Sequence, residues 1–252
     1  MRLHRRLYDS FTVDTMARIT KDLWIVRHGQ AAHNPRAEAV KADPAGTHAQ
    51  FLKLMQEDDV LDAPLTPIGI AQAQTVGRQL DWESRVDLVV SSPLSRALAT
   101  ANEILKPTSP AKRICLEDLR EINGWLQNAQ RRPRKELEEL FPSWDFTQIT
   151  PMDELWTTEL ESEDSCAHRA YLGVQHLLAR PERRILWIGH GGQLRFFMNQ
   201  HERVKIVDGR RCSDRPERDV KSRFGNAEIR RYTLEASGDD IIMTELDWVE
   251  EN

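Results

Sequence analysis

Leu23-Trp24-Ile25-Val26-Arg27-His28-Gly29 near the start, and Ile185-Leu186-Trp187-Ile188-Gly189-His190-Gly191-Gly192 far downstream, are the two stretches whose reading decides the fold. Each is an apolar run long enough for a buried strand, and each stops at a histidine followed by glycine. In open α/β sheets ligands bind in the crevice at the carboxyl ends of the strands, and a glycine there lets backbone or ligand approach closely. The two histidines are therefore expected to share one pocket.

Around these runs the chain alternates strand and helix signals. Thr66-Pro67 gives an N-cap followed by proline, and Ile70, Ala73, Gly77 and Leu80 recur on one face, predicting a helix over 67–81. Asp87 to Ser91 reads as a buried strand, and Ser92-Pro93 repeats the cap-plus-proline signal before Leu94, Ala97, Leu98, Ala101 and Leu105. Arg113 to Leu116 is a shorter strand, Pro133 to Leu140 a short helix, and Ser165 to Ala179 a longer one. Strand Ile185 to Ile188, a helix over Gln193 to Gln200, and strands at Ala227 to Leu234 and Ile241 to Leu246 complete the pattern. Pro35 to Ala63 reads as a helical insertion and Arg203 to Arg223, rich in charge, as a mobile surface loop. The expected fold is a three-layer α/β/α sandwich with a mostly parallel central sheet.

The 252 residues, 40% hydrophobic and 30% charged, fit one domain spanning 1–252. Residues 1–20 form an expected extension, and 35–63 and 122–160 form insertions over the active site. A formal net charge of -5 gives no electrostatic reason to expect nucleic acid. No apolar run approaches the ~20 residues of a membrane span, and no secretory leader is evident. Cys115, Cys166 and Cys212 lack the spacing of a zinc site or disulfide framework, which favours a reducing, cytoplasmic setting. Trp82, Trp144, Trp156 and Trp248 read as packing or lid residues, and Trp125 as bordering the site.

The chemistry-bearing residues point to an anion. Arg27 and His28 line one pocket once the backbone bends at Gly29, and Arg96 stands in the first turn of a helix, where guanidinium and free amides face an anion together. Glu121 lies between apolar neighbours, a setting suited to a general acid. His190, with Gly191 and Gly192 heading the next helix, brings a second imidazole beside exposed amides. No histidine and carboxylate spacing of a known metal site accompanies His28, His33, His48 or His190, and no metal or other cofactor is expected. His33 reads as a surface-helix histidine.

Arg27-His28-Gly29-Gln30, Leu65-Thr66-x-x-Gly69-x-x-Gln72, Ser91-Ser92-Pro93-x-x-Arg96-x-x-x-Thr100, Leu119-x-Glu121 and Gly189-His190-Gly191-Gly192 occur in that order. This set resembles the histidine phosphatase superfamily, with its phosphoglycerate-mutase-like fold, from about Leu23 to Leu234. The resemblance implies that His28 is the nucleophile that becomes phosphohistidine. It implies that Arg27, Arg96 and His190 bind the phosphoryl group, that Glu121 donates the proton, and that Asn34 contacts the phosphoryl group.

The run Gln30-Ala31-Ala32-His33-Asn34 departs from the glycolytic mutases and bisphosphatases, and looks nearer to the eukaryotic phosphoglycerate-mutase-like phosphatases. Their charged insert here includes Arg131-Arg132-Pro133-Arg134, read either as a clamp on a second anionic group or as an exposed helix start. The implied activity is a metal-independent phosphatase acting on a phosphorylated small molecule. The alternatives are a mutase of the same fold and a non-catalytic phospho-ligand-binding protein.

Overall fold

A computed structural model describes residues 20–57, 60–208 and 222–247. Its strands are β1 (Thr20–Arg27), β2 (Leu88–Ser91), β3 (Lys112–Cys115), β4 (Arg184–Gly189), β5 (Val204–Asp208), β6 (Ile229–Ser237) and β7 (Asp240–Leu246). They form one sheet in the order β3-β2-β4-β1-β6-β7-β5. β3, β2, β4 and β1 run parallel, β6 alone runs against its neighbours, and β5 is parallel to β7. The Arg27↔Gly189 register brings the two histidine-bearing strand ends side by side.

Strand alternation sorts the apolar residues onto two faces, as a period of two requires. Leu23, Ile25, Val90, Ile185 and Trp187 join one core with helices α7 (Glu163–Ala179) and α8 (Gly191–Gln200). Trp24, Val26, Val89, Leu186 and Ile188 join the other with α3 (Pro67–Gly77), the single turn α4 (Trp82–Arg85) and α5 (Ser95–Ile104). The helices therefore cover both faces of the sheet. Leu23, Ile25, Leu186 and Trp187 are fully buried, and such side chains contribute about 1.5–3 kcal/mol each relative to exposure.

The insertion after β1 forms α1 (Asn34–Ala42) and α2 (His48–Gln56). The segment after Glu121 carries α6 (Arg134–Leu140), and its Leu137, Trp144, Phe146 and Ile149 pack into the second core. Arg120, fully buried, anchors this segment through a two-pronged ion pair to Asp153 at 2.7 and 2.8 Å.

Four expectations are revised. The helix predicted over 67–81 ends at Gly77, because the Trp82 indole donates to the Val76 carbonyl and turns the chain into α4. Ser92 does not cap α5: the helix begins at Ser95, and the cap comes from Asp62, whose carboxylate accepts from the Ser95 N–H at 2.8 Å. Arg203 to Arg223 is not all loop, since Val204–Asp208 is a strand on the sheet edge, while 209–221 lies outside the described residues. His33 is buried, at the N-cap of α1, rather than on the surface. Trp82 and Trp144 are core residues as read, whereas Trp248 and Cys212 lie outside the described residues. Among the described residues no helix is long and apolar enough to cross a membrane.

Gly29 and Gly69 meet backbone to backbone. A Cβ on Gly29 would stand 2.4 Å from the Gly69 oxygen, and one on Gly69 would stand 2.0 Å from the Gln30 oxygen. Neither obstacle is a flexible side chain. Gly69→Ala is therefore expected to destabilise the protein by about 1–3 kcal/mol or more through forced backbone displacement. A lowered denaturant midpoint would show it, and an unchanged midpoint would contradict the close approach.

Candidate active site

The five motifs converge on His28. Its N–H donates to the Gly189 carbonyl at 3.0 Å and its own carbonyl accepts from Ala227, so the backbone is held between β4 and the stretch before β6. Its Nδ1 is 2.7 Å from the Gly29 oxygen. A carbonyl can only accept, so Nδ1 carries the proton and the lone pair is on Nε2. The Gly29 N–H donates to the Thr100 hydroxyl at 3.1 Å, which donates in turn to the Arg96 carbonyl at 2.7 Å. The Gln30 N–H donates to the Gln72 side chain at 2.9 Å, and the Thr66 N–H donates to the Gln30 carbonyl at 2.9 Å. The Thr-x-x-Gly-x-x-Gln motif thus acts as backing for the histidine loop.

The His28 and His190 rings lie 5.1 Å apart, and the His33 ring lies 6.2 Å from His28. His28, His33, Arg96 and His190 are all buried. Burial, reinforced by the charges of Arg96 and Arg27, holds all three imidazoles well below the usual histidine range, so they are neutral at neutral pH. Burial also lowers both arginines, Arg96 to about 10, while the Glu121 carboxylate is the charge that most supports their cationic forms.

Arg96 donates to the Asn128 carbonyl at 2.6 Å and Arg27 to the Phe224 carbonyl at 2.9 Å. Arg27 Nε, His33 Nδ1, Arg96 Nε, Asn128 Nδ2 and both ring nitrogens of His190 are buried without a hydrogen-bond partner among the described residues. Holding two guanidinium groups out of water costs several kcal/mol each. Two guanidinium groups with unpartnered N–H donors beside an imidazole lone pair are able to receive an oxyanion.

Glu121 differs from its expected setting. Instead of lying among apolar groups, it accepts from the N–H groups of Gly192 at 3.0 Å, Gln193 at 2.7 Å and Ile122 at 2.9 Å. The amides heading α8 are therefore bound to Glu121. Gly191 serves as a notch beside Arg27, since a Cβ there would stand 3.1 Å from the Arg27 Nε. Asn34 braces the loop by accepting from the Ala31 N–H at 2.8 Å, and its Nδ2 lies 3.1 Å from the His33 Nε2.

Arg131 is not a clamp. It is buried, with Nε 2.7 Å from Glu117 and its other nitrogens bonded to Thr150, Met152 and Arg132, because the insert folds around it. Arg132 is half-buried, with Nε 3.5 Å from Asp62. Trp125 stands at φ 58° after Gly124 at φ 77°, a left-handed pair that bends the chain next to residues 157–159.

Asp62 and Asn128 escaped the sequence reading. Asp62 reaches the head of α5 from the end of an insertion, and Asn128 brings a carbonyl to Arg96 from another. An isolated aspartate and an asparagine in irregular segments carry no local signal. Among the described residues no group of three or more His, Cys, Asp and Glu is arranged to hold a metal ion. A cavity of about 680 Å3 opens at the amino-terminal end of the strands, where Lys112 pairs with Glu182 and Arg184 with Asp87, at the opposite end of the sheet from His28 and His190.

Residues 23–216 match the sequence profile of the Histidine phosphatase superfamily (branch 1). The chain belongs to that superfamily. Among curated proteins it is similar to phosphoglycerate mutase-like protein 2 of Arabidopsis thaliana, 26% identical over an alignment covering 85% of this chain and 74% of that one. It is likewise 26% identical to phosphoglycerate mutase-like protein 1 of the same plant, over 85% of this chain and 81% of that one. Among solved structures, mycobacterial glucosyl-3-phosphoglycerate phosphatase in complex with VO3 aligns with TM-score 0.52 and 19% identity, over 92% of this chain and 100% of that one. The ecdysone phosphate phosphatase of Bombix mori in complex with tungstate aligns with TM-score 0.52 and 17% identity, over 92% and 96%.

Burial raises the Asp62 carboxyl to about 6, against the opposing pull of two Ser95 hydrogen bonds and the charges of Arg96 and Arg132. The folded state keeps this proton longer than the unfolded chain, whose aspartates titrate near ~4. The contribution to stability is thus full below that value and lost as pH rises through the folded value. Relative to Asp62→Asn, the wild type is expected to lose on the order of 2–3 kcal/mol between acid and neutral pH. Denaturant unfolding at a series of pH values checks this, and curves that stay parallel would refute it.

Proposed function

We propose that this protein is a phosphatase that hydrolyses a phosphomonoester of a small molecule through a phosphohistidine at His28, without a metal. The observation that carries the reading is the His28 tautomer. Nδ1 is tied to the Gly29 carbonyl, so Nε2 offers its lone pair in a buried site flanked by Arg27, Arg96 and His190. A neutral imidazole is a competent nucleophile toward phosphorus, and two displacements split one hard hydrolysis into two easier steps.

In the first step the phosphomonoester monoanion passes its proton to the Glu121 carboxylate as it binds, Nε2 attacks phosphorus in line, and the leaving oxygen takes that proton from the Glu121 carboxyl. In the second, Glu121 as carboxylate takes a proton from water, which attacks phosphohistidine and releases phosphate. Arg27, Arg96 and His190 hold the equatorial oxygens, and the two guanidinium groups balance their charge. Vanadate and tungstate in the two phosphatases of like fold are phosphate mimics, which accords with this assignment. Asn34 and Arg132 are the remaining candidates for substrate contact, Asn34 through its second amide hydrogen and Arg132 through its half-exposed guanidinium. Asn128, with its unpartnered Nδ2 beside Arg96, joins them.

Replacing the nucleophile should abolish turnover and spare the fold. His28→Ala is expected to lose at least ~10²-fold in kcat on p-nitrophenyl phosphate while its thermal unfolding stays cooperative. Retention of more than about a tenth of the wild-type rate would remove His28 from that role. Because the arginines supply the positive charge, hydrolysis should also survive exhaustive chelation. Loss on chelation, reversed by a divalent cation, would overturn the metal-free scheme.

A further inference from the structure

Glu121-Ile122-Asn123 runs in irregular backbone after the single turn Glu117–Leu119, and such a segment cannot by itself hold a carboxylate to a fixed point. Helix α7 does the holding. Arg169, on that helix, donates to the carbonyls of Glu117 at 3.2 Å, Asp118 at 3.0 Å and Arg120 at 3.1 Å through one terminal nitrogen. The other terminal nitrogen donates to the Glu121 carbonyl at 3.2 Å and to Glu161 at 2.7 Å, and Nε reaches Glu161 at 3.1 Å. Glu161 then accepts from the Asn123 N–H at 3.1 Å. One Arg–Glu pair therefore grips the carbonyls of residues 120 and 121, on either side of the proton donor's Cα, and the amide of residue 123.

We propose that Arg169 and Glu161 are positioning residues that set the Glu121 carboxyl for proton transfer to the leaving oxygen. The arrangement uses the guanidinium's planar fork, which spreads donors over several acceptors at fixed angles, a task that an ammonium group cannot reproduce. Both side chains are largely buried, at 10% and 14% exposure, so solvent does not loosen the pair. Burial pulls the Arg169 pKa down, while the hydrogen bonds to Glu161 and the negative charges around it raise it, and the net direction is up. Three backbone amides of residues 122, 192 and 193 hold the carboxylate end, while Arg169 and Glu161 hold the main-chain end. Glu161 is spent in this grip, so it is not an alternative proton donor.

The proposal rests on Glu121 being the proton donor, and the test separates the two ideas. A general acid matters in proportion to how poor the leaving group is. The rate of the first step alone, release of alcohol in a single turnover by rapid quenching, is measured with p-nitrophenyl phosphate and with β-glycerophosphate, an alkyl ester, for wild type, Glu121→Gln, Arg169→Lys and Glu161→Gln, with thermal unfolding as the control for folding. In that step Glu121→Gln, Arg169→Lys and Glu161→Gln are expected to lose roughly 10²-fold on the alkyl ester and to stay within about five-fold of wild type on the aryl ester, since the base role of Glu121 in the second step is common to both substrates and lies outside this measurement.

Equal losses on both substrates, or no loss on either, in folded variants would overturn the positioning role. So would the failure of both variants to fold, which would make the pair structural. If Glu121→Gln shows the split and the other two do not, the proposal fails alone. If Glu121→Gln shows no split, or the wild type hydrolyses neither ester, the assignment of Glu121 or the phosphatase reading falls, and the positioning role falls with it.

Discussion

The close passage of Gly29 against Gly69 is the constraint on which the site depends. With no side chain on either residue, the loop leaving β1 can lie on the head of α3, where Thr66 and Gln72 take its backbone groups. That contact fixes the bend after His28, and the bend places the Gly29 carbonyl where it selects the imidazole tautomer. Thr100 carries the same constraint to α5, since it bonds both the Gly29 amide and the Arg96 carbonyl. The loop of His28 and the turn that carries Arg96 are thus held by one short chain of hydrogen bonds.

Electrostatics follow from that geometry. Buried Arg96, part-buried Arg27 and three buried imidazoles crowd together, and the imidazoles yield by staying neutral. The surviving positive charge lies on the guanidinium groups, supported chiefly by Glu121. Glu121 also satisfies the head of α8, directly after His190, so a single carboxylate joins the second imidazole's helix to the charge balance of the site. The insertions contribute too: Asp62 caps α5 one residue before Arg96, and Asn128 supplies the carbonyl that Arg96 bonds.

Much of this was legible in the sequence, for a physical reason. Buried parallel strands read as continuous apolar runs, and glycine beside histidine at a strand end marks close backbone approach, so β1, β4 and their histidines stand out locally. The reading failed where partners come from afar. Ser92-Pro93 resembled a cap, but the cap was Asp62, some thirty positions earlier in the chain. Arg131 sat in a run of charges that suggested solvent or substrate, yet Glu117 and the carbonyls around Thr150 enclose it. Residues 204–208 looked too charged for a strand until β7 offered a partner, with Lys205 paired to Asp240. His33 was misread for the same reason, because its burial depends on the loop that folds back over His28.

The central claim is that phosphorus passes through His28, and rapid quenching during turnover of a radiolabelled phosphomonoester tests it most directly. The account predicts a protein-bound phosphate that is labile in acid and stable in alkali, as a phosphoramidate is, and that maps to the peptide carrying His28. It also predicts that the label forms and decays at rates fast enough to account for steady-state turnover. Label on another residue, or turnover with no covalent phosphate under any quench, would contradict it.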